Sequence, residues 1–216
     1  MISQPLRRAF ALSALTACAL LAPTRVFAGP PLICHPYDIG AAQSLPAGSD
    51  RYGTTASYDR MHLVADTLAL LKPDLPVLVR METLRRAAIY ATGNLRTWVG
   101  GIYTNVDQEL GAALIAKLRE RTTTADAAMR ALALFDLGFF SESVRQTGLD
   151  PALEGYALLV KAAETMKNNP DVEFALALAS LYPQRTEHSD HLARARAAAK
   201  PGSLLAANLE SHFGKS

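Results

Sequence analysis

Cys34-His35-Pro36-Tyr37-Asp38 gathers a thiol, an imidazole, a phenol and a carboxylate within five residues, the densest set of potential ligands in the chain. A thiolate beside an imidazole suits a soft or borderline ion, copper or zinc. Neighbouring side chains in an extended segment point opposite ways, so a metal at Cys34 and His35 needs further donors from elsewhere, with His62 or Met61 as candidates. The competing reading makes Cys34 a small buried hydrophobe and His35 a surface or capping residue. Haem attachment is disfavoured, because its usual signature has two cysteines where this segment has one.

A second cluster is Glu187-His188-Ser189-Asp190-His191. Two histidines three apart on a helix can face one ion, with Glu187 or Asp190 nearby. The spacing differs from the four-residue interval of the zinc-protease helix. Ser189 and Asp190 are also ordinary helix-start residues whose negative end complements the helix dipole. Nucleophilic catalysis finds no Gly-x-Ser-x-Gly elbow. Gly100-Gly101 lacks the Gly-Lys-Ser/Thr of a phosphate loop and reads as a break between helices with no strand before it. Trp98, Tyr90 and Tyr103 either line a groove or pack in a core. Glu82 stands three and four residues from Arg85 and Arg86, which predicts surface pairs worth a few tenths of a kcal/mol, or else an anion- or partner-docking face.

The elements that must position these groups begin after residue 28. Arg7 and Arg8 form a positive start, residues 9–22 an uncharged apolar run, and Val26-Phe27-Ala28 a cleavage site with small residues where a signal peptidase reads. A cleaved signal peptide over residues 1–28 is expected, with processing between Ala28 and Gly29 and a periplasmic or secreted product. The arginine pair followed by Ala9 and Phe10 resembles the twin-arginine export signature; an ordinary positive n-region is the alternative. Leu15-Thr16-Ala17-Cys18 resembles a lipoprotein box, which gives lipidation at Cys18 as a minor alternative. The run is too short to favour a stable transmembrane anchor.

Arg7, Arg8 and Arg25 are three of the 22 basic residues, and the segment holds no acid. The remainder therefore carries 19 basic against 20 acidic side chains, and the +2 of the whole chain belongs to targeting. With no basic stripe interleaved with aromatics, nucleic acid is not an expected partner. Cys34 is the one cysteine beyond residue 28, so no internal disulfide is expected there.

Residues 29–57 hold Pro30, Pro31, Pro36 and Pro46 and no stable period, so they read as an irregular Pro/Gly-rich arm. Leu32, Ile33, Tyr37, Ile39 and Leu45 give it apolar spots with which to pack on the body. Residues 58–216 read as one all-α domain. Met61, Val64, Leu68 and Leu71 form a first apolar stripe, and Val77, Met81, Leu84, Ala88 and Ala91 a second. Further helices are predicted over 107–121, from about Thr124 to Gly138, from Asp150-Pro151 through Leu153, Tyr156, Val160 and Ala163, and from Asn169-Pro170 to Tyr182. Two more cover 190–200 and 203–212.

Gly138-Phe139-Phe140-Ser141-Glu142-Ser143 resembles the turn between the helices of a tetratricopeptide repeat. Gly155, Leu159, Ala162 and Asn168-Asn169-Pro170 resemble the close of one repeat and the entry to the next, the likeness covering residues 125–182. It departs from the family at Lys167, where proline is usual, and at residues 146–150, which interrupt the second helix. The resemblance implies stacked antiparallel helix pairs, a tetratricopeptide-like α-solenoid, with an irregular helical bundle as the alternative. The expected function is an exported, non-catalytic scaffold for a protein or peptide partner, without cofactor. The alternative is a periplasmic metal- or thiol-handling protein holding copper or zinc at Cys34 and His35.

Overall fold

Helix α3 (Val77–Ala91) carries Arg80, Glu82, Arg85 and Arg86, yet 14 of its 15 residues are buried. A helix enclosed all round belongs at the centre of a fold, and the other elements are arranged around it. The computed structural model describes residues 31–48, 55–92, 97–99, 102–104, 108–124, 126–147, 149–150, 152–181 and 183–214. The expected signal, its Ala28/Gly29 cleavage point and Cys18 lie outside them, as does Tyr182.

The chain is all-α apart from one small hairpin. In order come α1 (Pro31–Cys34), α2 (Leu63–Leu70), α3, the strands β1 (Thr97–Val99) and β2 (Ile102–Thr104), then α4 (Gln108–Thr124) and α5 (Ala127–Val144). After them follow α6 (Gly155–Thr165), α7 (Pro170–Leu181), α8 (His188–Ala198) and α9 (Leu204–Phe213). Consecutive helices pack as pairs, α4 on α5, α5 on α6 and α7 on α8, while α3 lies against α5 and α7. Buried stretches run along α5 from Phe135 to Val144 and along α7 from Phe174 to Ser180, so three helices share one core.

The ends of the fold meet. The Asp38 N–H donates to Asn208 Oδ1 and Asn208 Nδ2 donates to the Asp38 carbonyl, both at 2.8 Å and 170 residues apart in sequence. In a solenoid each repeat touches only its neighbours; here the helices pack as pairs and α1 and α3 also reach α5 and α7.

Local start and stop signals were largely followed. Asn169 Oδ1 accepts from the Asp171 N–H at 3.0 Å with Pro170 as the first helical residue of α7. Asp126 accepts from the Met129 N–H at the head of α5, and Ser203 from Ala206 at the head of α9. Five details differ. Residues 138–143 are not an interhelical turn: α5 continues through them to Val144. Helix α6 begins at Gly155 rather than at Asp150, which takes a left-handed φ of 42°. Its first turn is capped instead from α5, the Glu142 carboxylate accepting from the Tyr156 N–H at 2.8 Å. Burial raises the pKa of that carboxyl. On α2 the buried face is Leu63, Thr67 and Leu71, and Met61 is 84% exposed; on α6, Val160 faces out while Leu159 and Ala162 face in. Finally, a strand does precede residue 100, since β1 and β2 pair antiparallel with Val99 opposite Ile102; Gly100-Gly101 itself lies outside the described residues.

The tightest joint is the crossing of α5 and α6. A Cβ placed on Gly138 would lie 2.7 Å from the Gly155 carbonyl oxygen and 3.0 Å from the Leu159 nitrogen. These are backbone atoms and cannot swing aside. Gly138→Ala is therefore expected to lose about 1–3 kcal/mol by overpacking, despite a helix-propensity gain of about 1 kcal/mol. Urea unfolding checks it, and an unchanged or raised midpoint would contradict the close crossing.

Candidate functional site

The arm enters the core through the polar spine of α3. Glu82 is fully buried; its Oε2 accepts from Arg85 Nε at 2.7 Å and from the Tyr37 N–H at 3.0 Å. Its Oε1 accepts from Arg85 Nη2 at 3.0 Å and Arg86 Nε at 2.6 Å. The two guanidiniums then reach the arm's carbonyls, Arg85 donating to Ile33 at 3.1 Å and Arg86 to Leu45. The expected surface pairing of Glu82 with Arg85 and Arg86 is thus a buried clamp, because residues 31–48 cover it with Leu32, Ile33, Tyr37, Ile39 and Leu45. No docking face is left there. One turn earlier, Arg80 Nη1 donates to both Asp136 oxygens at 2.8 Å, and neither side chain is exposed. Burial raises the Asp136 pKa against the opposing pull of Arg80 and Arg121.

Cys34 ends α1 and is half-buried, while His35 is exposed. The fold does not take its second imidazole from the sequence candidates: His62 is 69% exposed and faces Asp59 at 3.6 Å, and Met61 points to solvent. The imidazole beside His35 is His212 of α9, ring centres 5.9 Å apart and edge-on. His212 stacks flat on Tyr37 at 5.0 Å and meets Phe174 edge-on at 5.5 Å. Its Nδ1–H donates to the Asn208 carbonyl at 2.9 Å, which leaves Nε2 as the bare nitrogen, enclosed without a hydrogen bond. Burial lowers the His212 pKa below its ordinary 6.5, helped by the charges of His35 and Arg85. Among the described residues, no three His, Cys, Asp or Glu side chains gather at metal-holding spacing.

His188 and His191 do not share a ligand point. His188 Nδ1–H donates to the Ala177 carbonyl at 2.9 Å. His191 sits between two other helices, its Nδ1 2.7 Å from Glu173 Oε2 and its Nε2 3.0 Å from the Tyr156 hydroxyl. A carboxylate on Nδ1 fixes the proton there, so Nε2 accepts from the phenol. Arg194 also comes within 2.7 Å of Nδ1, but that nitrogen's proton is already given to Glu173. Arg194 is satisfied instead by the carboxylate, Nε to Oε2 at 3.0 Å. The Arg185 guanidinium covers the Tyr156 ring at 4.2 Å. Carboxylate, imidazole and hydroxyl stand in the order of a catalytic triad, but each is consumed in tying α6, α7 and α8 together.

Sequence reasoning missed Tyr156, Glu173 and His212, since residues 17 to 178 apart in the chain leave no spacing signal. Trp98 and Tyr103 have no described side chains; Tyr90 is buried, its hydroxyl donating to the Pro46 carbonyl at 2.9 Å. No protein-family model, curated protein or solved structure matches the chain.

Tyr156→Phe removes the only hydrogen of this relay that reaches His191 Nε2. A loss of about 1–3 kcal/mol is expected for leaving a buried polar atom unpaired. Guanidinium unfolding reads it, and equal stability would show that the relay is no structural tie.

Proposed function

We propose that the chain is an exported, non-catalytic helical scaffold that holds a protein or peptide partner on its surface. The side chains able to do chemistry, Glu82, Asp136, His188, His191 and Tyr156, are engaged in bonds that fix the arm to α3 or one helix to another, which suits a rigid frame. The observation that carries the reading is an open cleft of about 400 Å³ between α8 and α9. It is lined by Ala199, Pro201, Ala206, Leu209 and Gly214 together with the charged Arg196 and Glu210. An open lining that mixes apolar side chains with charges of both signs suits a short peptide segment. Among the described residues no helix is long and apolar enough to cross a membrane.

A photo-crosslinking residue at Ala206 is expected to give one discrete adduct in cells, with none from Lys161 on the outer side of α6. Equal, diffuse labelling from both positions would overturn the scaffold reading. Mass analysis of the exported product is expected to show Gly29 as its first residue, and a chain starting at lipidated Cys18 or retaining residues 1–28 would contradict the signal assignment.

The second reading, a copper or zinc site at Cys34 and His35, draws support from His212, whose bare Nε2 lies enclosed beside His35. It expects stoichiometric metal in protein purified from the periplasm and its loss in Cys34→Ala. Metal-free protein refutes it.

A further inference from the structure

Arginine outnumbers carboxylate at the joint where α2, α3, α4 and α5 meet. Arg80 of α3 and Arg121 of α4 both face Asp136 of α5, and among the described residues neither guanidinium is paired with a second carboxylate. Arg80 takes both oxygens at 2.8 Å, which leaves Arg121 Nη1 3.6 Å from Oδ2, beyond a hydrogen bond. One carboxylate thus serves two cations in a place where Arg80 and Asp136 have no contact with water. The carbonyl end of α2 offsets about half a charge of the surplus. It does so through Leu71 and Lys72, whose carbonyls accept from Arg121 Nη2 and Arg80 Nη2.

Three donors at this joint are enclosed and have no hydrogen-bond partner: Arg80 Nε, Arg121 Nη1 and Thr67 Oγ1. All three border the end of α2. Thr67 lies one turn before Leu71, whose N–H donates to the Thr67 carbonyl at 3.1 Å, and the Leu71 and Lys72 carbonyls hold the two arginines. Buried polar groups go unsatisfied only rarely. Three unsatisfied donors around one surplus positive charge ask for a charged acceptor.

We propose that this joint binds a monatomic anion, chloride from the surrounding solution, held by Arg80 Nε, Arg121 Nη1 and the Thr67 hydroxyl.

Size and valence select it. An oxyanion such as phosphate, with four oxygens to satisfy, finds too few donors among atoms so enclosed, and a dianion overshoots the surplus. A water molecule accepts two hydrogen bonds and brings no charge. A halide accepts from all three donors and supplies the missing negative charge. Arg121 gives the route of entry, since its side chain is 28% exposed while that of Asp136 has no exposure. Once bound, the ion ties α2 to α3 and α4, and the fold gains stability as the site fills. The joint shares no residue with the cleft between α8 and α9, so it stands or falls apart from the scaffold reading.

Urea unfolding in mixtures of sodium chloride and sodium gluconate at fixed ionic strength separates binding from screening. Raising chloride from about 1 mM to about 100 mM is expected to increase the folding equilibrium constant about threefold or more, by mass action on the folded chain. Bromide is expected to act in the same way and to give an anomalous-scattering peak against Arg80 Nε and Arg121 Nη1 in crystals of the protein. Thr67→Val and Arg121→Gln are each expected to flatten the chloride response, whereas a purely structural role for either side chain lowers stability equally in both salts. Equal stability of the wild type in chloride and gluconate would overturn the proposal. So would bromide found only elsewhere, or an undiminished chloride response in both variants. Should the variants fail to fold, the wild-type titration and the bromide position decide.

Discussion

A carboxylate with no access to water sits at the centre of this protein, and the structure depends on how Glu82 is satisfied. Two guanidiniums from its own helix and one backbone N–H from the arm converge on its two oxygens. Ion pairs of this kind contribute little net stability relative to apolar packing, yet removing one partner leaves a stranded charge. Their effect is on register. Only with Tyr37 over Glu82, and with the Ile33 and Leu45 carbonyls over Arg85 and Arg86, are all the buried groups paired. The irregular arm is thereby a component of the core and not a covering laid on a finished bundle.

The same device recurs towards the start of α3, where Arg80 and Arg121 share Asp136 and also donate to the carbonyls of Lys72 and Leu71. These contacts fix the turn between α2 and α3. A third polar joint, Glu173–His191–Tyr156, ties the later helices. Between these joints the packing is apolar, and at Gly138 and Gly155 it is close enough that two helix backbones touch.

Much of the architecture was legible from local pattern. Asn169-Pro170, Ser203 and the Leu114/Leu118 stripe mark real helices because capping and periodicity are properties of neighbouring residues. The α5 boundary was misread because glycine and aromatic residues at 138–140 resemble a turn, whereas that glycine lets α6 approach. Reading Glu82, Arg85 and Arg86 as surface pairs failed for a different reason. Charge predicts exposure until a distant segment supplies the compensating groups, and the compensating groups here are arm backbone atoms about 40–50 residues away. Where the arm meets α9, Cys34 and His35 were visible, while His212, at the far end of the chain, was not.

The central claim is that Glu82 and Arg85 act as one buried unit. A double-mutant cycle with Glu82→Gln, Arg85→Met and the pair measures it most directly. Each single change is expected to cost about 3–5 kcal/mol, with the double costing less than their sum by roughly 2 kcal/mol. Additive losses below about 1 kcal/mol each, as for an exposed pair, would contradict the account.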